Sequence, residues 1–127
     1  MRFCMGNRLF NENDGMDEDN CLMIYDNSYD FYKLVLQTFH SEIPKTVKGM
    51  KDTYDLPDKE EYRIYVHGLK GSGGSAGAKH LVELATESNA LIKEGKWEEA
   101  SRMHEPILAE LARLEKLIPE RINSFGG

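Results

Sequence analysis

The stretch Tyr62-Arg63-Ile64-Tyr65-Val66-His67-Gly68-Leu69-Lys70-Gly71-Ser72-Gly73-Gly74-Ser75-Ala76 has two readings, and they lead to different folds. Tyr62 to Val66 passes for a strand, and Gly71 to Ala76 satisfies Gly-x-Gly-x-x-Ala. That pattern cradles a dinucleotide when a strand runs straight into it and a helix follows. Here Gly68-Leu69-Lys70 intervene, and no second strand of a βαβ unit follows Gly95. A Walker-type loop fails too, because Gly77 precedes alanine and not lysine. The helical reading has no such gap. At about 100° per residue, Arg63, Lys70, Gly71 and Gly74 fall within roughly 60° of His67. Tyr62, Tyr65, Leu69 and Ala76 gather on the opposite side. One face is apolar and turns inward, which leaves His67 looking outward.

The flanks carry the same period. From Ser28 onward Tyr32, Val35, Leu36 and Phe39 fall at i, i+3, i+4 and i+7, with Asn27 or Ser28 as the N-cap. Ser41 and Pro44 punctuate the chain, and Ile43, Val47, Met50 and Tyr54 predict a second helix with Pro44 in its first turn. Leu56-Pro57-Asp58 breaks again. The acids Asp58, Glu60 and Glu61 suit the start of a third helix, where the dipole favours negative charge, and it runs through His67 toward Gly73 or Gly74. A fourth begins near Ala78, with Leu81, Leu84, Ala85 and Ser88 facing inward, and closes at Gly95. A long fifth carries Trp97, Ala100, Met103, Ile107, Leu108, Leu111, Leu114 and Leu117 and stops before Pro119. The fold class is all-α: a four-helix up-down bundle formed by residues 28–127.

Residues 1–27 form an N-terminal extension, partly ordered or a short capping helix. Residues 8–27 are rich in Asn, Asp and Glu and bury little by themselves. A calcium loop does not fit there: aligning Gly15 with that loop's glycine puts Phe10 and Cys21 where carboxylates are needed. The Met1 to Asn7 segment has no apolar core, so no secretory signal is expected. With only Cys4 and Cys21, a disulfide scaffold is not expected either, and a reducing cytoplasm is the simplest location. At 127 residues the chain suits one domain, and a formal charge of −6 argues against nucleic acid as a partner. No apolar run reaches membrane-spanning length.

His67, Lys70 and Gly71 stand at i, i+3 and i+4, one turn apart on a single helix face. A neutral imidazole is a competent nucleophile near neutral pH. A neighbouring cation favours that neutral form and then pairs with phosphoryl oxygens once they are attached. A glycine beside the ring leaves room for a partner to approach. His40, His80 and His104 show no metal spacing and read as surface or boundary residues. Trp97 and the tyrosines read as core or core edge.

These residues resemble the histidine-containing phosphotransfer domain of two-component phosphorelays, whose motif runs His-x-Leu-Lys-Gly-Ser/Ala and then Gly-Ala. Here it is His67 to Ser72 followed by Gly77-Ala78, with a similar downstream register through Leu81, Leu84, Ala85 and Lys93-Glu94-Gly95. Phe31-Tyr32-Lys33-Leu34 and Phe39 are similar to the family's first bundle helix, so the resemblance spans about residues 28 to 118. It implies a four-helix bundle and a phosphocarrier that is not itself an enzyme. His67 would accept a phosphoryl group from a receiver-domain aspartate and pass it to another. By position, Lys70 is the phosphoryl-pairing cation and Gly71 the clearance residue. Arg63, Ile64, Gly68 and Gly74 are expected to contact the partner. Implied partners are response-regulator receiver domains and a hybrid sensor histidine kinase, with magnesium on the receiver, no cofactor on this chain, and a monomeric carrier. A bundle that docks receivers without using His67 is the alternative these residues leave open.

Overall fold

The structure, a computed structural model, describes residues 8–125. The Met1 to Asn7 segment, including Cys4, lies outside the described residues. A 3-10 turn at Glu12–Asp14 is followed by α1 (Glu18–Ile24), α2 (Tyr29–Thr53), α3 (Glu60–Ala76), α4 (Lys79–Lys93), α5 (Trp97–Ser101) and α6 (His104–Ser124). Apart from one isolated antiparallel bridge between Met16 and Ala78, the described residues contain no β-structure. The chain is therefore an all-helical bundle. α2 packs on α3, α3 on α4, α4 on α6 and α6 on α2, with α5 resting on α4 and α1 on α2. The enclosed core includes Tyr32, Leu36, Tyr62, Val66, Leu81 and Leu111, all shut off from solvent.

Three prolines show what decides a helix boundary here. Pro44 was expected to open a second helix, yet Tyr29 to Thr53 is one helix with Pro44 inside it. An internal proline costs about 3 kcal/mol in lost bonding and crowding. The buried stripe Tyr32, Leu36, Phe39, Ile43 and Met50 keeps one phase straight through it. Burying each such side chain contributes roughly 1.5–3 kcal/mol, so the stripe wins. Pro119 was expected to lie beyond the end of the last helix, but α6 continues to Ser124. The Glu115 carbonyl, which loses its N–H partner to Pro119, accepts the His40 Nε2–H from α2 at 2.9 Å. Pro57 lies in the expected break between α2 and α3, and of the other three prolines the one at a break is Pro106. Its ring cannot share a helical turn with the Arg102 carbonyl, and the expected single fifth helix divides into α5 and α6 just before it. Pro106 then sits in the first turn of α6, where a missing N–H costs nothing.

Ser28 caps α2 as expected, its hydroxyl accepting the Phe31 N–H at 3.1 Å. α3 runs two to three residues further than Gly73 or Gly74, and its end is closed from several directions. Gly77, at φ +79°, donates to the Gly74 carbonyl at 3.1 Å, and Ala78 N–H reaches Gly73 at 2.8 Å. The Ser75 carbonyl accepts the Tyr25 hydroxyl at 2.7 Å and the Cys21 thiol at 3.6 Å. The Ala76 carbonyl accepts the Tyr32 hydroxyl at 2.8 Å, and the Gly77 carbonyl accepts Asp17 N–H at 2.7 Å. The carbonyls that a helix C-terminus leaves without partners are thus satisfied by α1, the residues that flank it, and α2.

The segment before α2 is accordingly better packed than its composition suggests. Leu9, Phe10 and Cys21 join the core. The buried Glu18 carboxylate accepts the Leu9 and Phe10 N–H groups, each at 2.9 Å, and the Tyr29 hydroxyl. Asp14 pairs with Arg121 of α6 through bonds of 2.9 and 3.1 Å.

His104, expected at the surface or the boundary, is buried. Its Nδ1 lies 2.7 Å from the Tyr62 hydroxyl, and its ring centroid is 4.1 Å from that of Tyr54. Burial pushes its pKa below the ordinary value, with Lys51 acting in the same direction and Glu105 and Asp55 opposing. On α4 the Ser88 hydroxyl is fully buried with no hydrogen-bond partner among the described residues.

Removing the Tyr32 hydroxyl leaves the Ala76 carbonyl unpaired. Tyr32→Phe is expected to cost about 1–3 kcal/mol in urea denaturation and to speed amide exchange around residues 73–78. For His104 the lowered folded pKa means the unfolded chain binds the proton first as pH falls. Its effect is absent well above about pH 6.5 and subtracts from stability below it. Denaturation midpoints followed from about pH 7.5 to about pH 5 should fall, and His104→Gln should flatten that part of the profile.

Candidate functional site

α3 positions the site through its own two faces. Asp58 accepts the Glu60 N–H at 3.0 Å at the start, and Glu60 and Glu61 lie in the acid-favouring first turn. Tyr62, Val66, Leu69, Gly73 and Ala76, spaced four, three, four and three apart, form the buried face. The helix leaves His67, Gly68, Gly71 and Gly74 exposed, with Arg63 and Lys70 half-buried. Because Tyr62 to Val66 is helical, the strand-and-dinucleotide-turn reading of this stretch is excluded.

The exposed groups differ in how they are engaged. His67 makes no hydrogen bond or ion pair among the described residues, and neither does Lys70 one turn on. Arg63 is committed. Its Nε reaches Glu60 Oε1 at 3.0 Å, a second nitrogen bonds Glu60 Oε2, and a third contact of 3.2 Å goes to Asn89 Oδ1 on α4. The guanidinium holds the Glu60 carboxyl below its usual range. Ile64 is 58% exposed beside these groups.

The glycines divide in the same way. A Cβ at Gly68, Gly71 or Gly74 would meet nothing within 4 Å. Each costs about 1 kcal/mol in a helix interior relative to alanine, and no contact inside the protein requires any of them. Gly73 is different: a Cβ there would come within 3.2 Å of Val82, so it lets α3 and α4 approach. Gly49 of α2, which the sequence did not single out, lies under the Tyr65 ring, where a Cβ would fall 2.3 Å from ring carbons.

The sequence also did not single out a groove of about 480 Å³ between α2 and α3, lined by Phe31, Leu34, Val35, Phe39, Ser72 and Ser75 with Tyr25 at its end. Phe31 and Leu34 remain 48% and 57% exposed. A signal existed: both are apolar residues that fall off the buried stripe of α2. The α3 wall of this groove is Ser72 and Ser75, which flank the open Gly71 and Gly74 in the chain. Among the described residues no group of His, Cys, Asp and Glu side chains is placed to hold a metal ion. The arrangement offers a solvent-facing nucleophile, an unpaired ammonium, bare backbone and an apolar border.

No curated protein and no solved structure is matched by the chain. The model of the Hpt domain family matches residues 34–117, well over half of the sequence and the whole of α3 and α4. With the histidine exposed on a central helix inside that match, the chain belongs to the Hpt domain family.

Proposed function

We propose that this protein is a phosphorelay intermediate in the cytoplasm. On this reading residues 28–127 form a four-helix up-and-down bundle, and residues 1–27 are an N-terminal extension whose described part includes the short helix α1 against α2. His67 accepts a phosphoryl group from a receiver-domain aspartate and returns it to another. The observation that carries this reading is the exposed His67 with the unpaired Lys70 one turn away and glycines on either side that no internal contact demands. Hpt domains work in two-component systems with receiver domains, so the partner class follows from the family.

The chemistry balances simply. A lone pair of the neutral imidazole attacks phosphorus, the P–O bond of the aspartyl phosphate breaks, and its electrons return to the carboxylate. The proton on the other ring nitrogen is shed or kept according to pH. Magnesium, which the receiver would hold, would supply screening of the phosphoryl charge. Lys70 pairs with the phosphoryl oxygens as a point charge. Gly71, with Gly68 and Gly74, lets the receiver backbone approach the ring. Ile64, Phe31 and Leu34 form the apolar part of the contact, and Arg63 stands at its rim. A hybrid sensor histidine kinase is the source of the phosphoryl group, and the carrier acts as a monomer.

Incubation with a phosphorylated receiver and magnesium should label the wild type with acid-labile, base-stable phosphate and leave His67→Gln unlabelled and folded. Label on neither protein, across several receivers, would favour docking without transfer. Lys70→Ala should slow transfer about tenfold, equivalent to the loss of one charge-assisted contact. Gly71→Leu should keep or raise stability, by up to about 1 kcal/mol, because leucine is the better helix former. The same substitution should block transfer from the receiver while small-molecule labelling of His67 persists. Loss of both activities would remove the clearance role.

A further inference from the structure

Arg63 stands between two residues of its own helix face. Glu60 lies three residues before it and His67 four residues after it, each within the reach of a long side chain. At present it is bound to Glu60 and, at 3.2 Å, to Asn89 Oδ1. Asn89 belongs to α4 and is 5% exposed, so that contact holds one guanidinium nitrogen, Nη1, at a buried side chain and leaves Nε and Nη2 to Glu60. The bond to Glu60 is different in kind, because the Glu60 side chain is 55% exposed and such pairs hold weakly. We propose that Arg63 is a phosphoryl-responsive clamp, resting on Glu60 while His67 is bare and turning to the phosphoryl oxygens once His67 carries the group.

This rests on the reading of His67 as the carrier and adds a second cation to it. A phosphoryl group brings a charge of about −1.5 to −2 and three acceptor oxygens, against a single carboxylate charge on Glu60. The fork of the guanidinium matches phosphoryl oxygens in pairs, which an ammonium does not. Arg63, one turn before His67, and Lys70, one turn after it, would then hold the group from both sides. Glu60, released, would present an unpaired carboxylate only in the phosphorylated form. A receiver would therefore meet different charge patterns before and after transfer.

The test uses phosphoramidate, which labels imidazoles without a protein partner: its P–N bond breaks, ammonia leaves, and a P–N bond to the ring forms. The second ionisation of phosphohistidine is then followed by phosphorus NMR in wild type, Glu60→Gln, Arg63→Gln and the double variant, with circular dichroism verifying the fold. A clamping cation favours the dianion. Arg63→Gln should therefore raise this pKa and Glu60→Gln lower it, each by roughly 0.2 to 0.7 unit. Removing a nearby negative charge alone would also lower it, so the double variant decides. Under the clamp, Glu60→Gln lowers the pKa clearly less once Arg63 is gone. An equal lowering in both backgrounds overturns the clamp, as does indifference to Arg63→Gln. Absence of any phosphohistidine signal in the wild type overturns the carrier reading and the clamp together.

Discussion

Everything at the site depends on α3 staying helical through residues that favour unravelling. Gly68, Gly71, Gly73 and Gly74 sit in its second half, each costing about 1 kcal/mol relative to alanine. Two constraints hold it. Tyr62, Val66, Leu69 and Ala76 bury one face against α2 and α4, which outweighs the glycine cost. The final carbonyls are bonded by Tyr25, Tyr32, Cys21 and the Asp17 backbone. Burial fixes the helix axis, and the bonds at its end stop fraying from reaching the exposed glycines. His67 can then be presented on bare backbone without the helix dissolving around it.

Much of this was legible in the sequence, and the failures share a cause. The two faces of α3, the Ser28 cap and the turn at Gly95 are set by interactions within a few residues, so local pattern suffices. The prolines are not. Pro44, Pro106 and Pro119 look alike in the chain, yet only the one at the entrance to α6 coincides with a break. For Pro44 the deciding information was present, because Tyr32, Leu36, Phe39, Ile43 and Met50 continue in phase across it. For Pro119 it was not, since the stranded Glu115 carbonyl is met by His40, 75 residues away. His104 and the early segment failed for the same reason. A polar residue's burial is decided by distant partners, here Tyr62 for His104, and Leu9 and Phe10 for Glu18.

The candidate site divides along the same line. Its residue types and spacing are written in one helix and could be read directly. Which of its cations is engaged could not, because Arg63 and Lys70 are equivalent in a helical projection and differ only through Glu60 and Asn89. The apolar rim at Phe31 and Leu34 belongs to a different helix and becomes part of the site only through the α2–α3 packing that Gly49 permits beneath Tyr65.

The closure of α3 by Asp17, Cys21, Tyr25 and Tyr32 has a consequence for how this protein can vary. The family model matches residues 34–117, and Asp17, Cys21 and Tyr25, which bond the end of the histidine-bearing helix from outside it, lie well upstream of that match. The stiffness of the His67 platform is therefore set by a segment separate from the one that defines the chemistry. Substitutions in that segment would register as altered motion beneath the imidazole, with the motif itself unchanged. Rigidity and reactivity are encoded in different stretches of one short chain, and each is open to adjustment without rewriting the other.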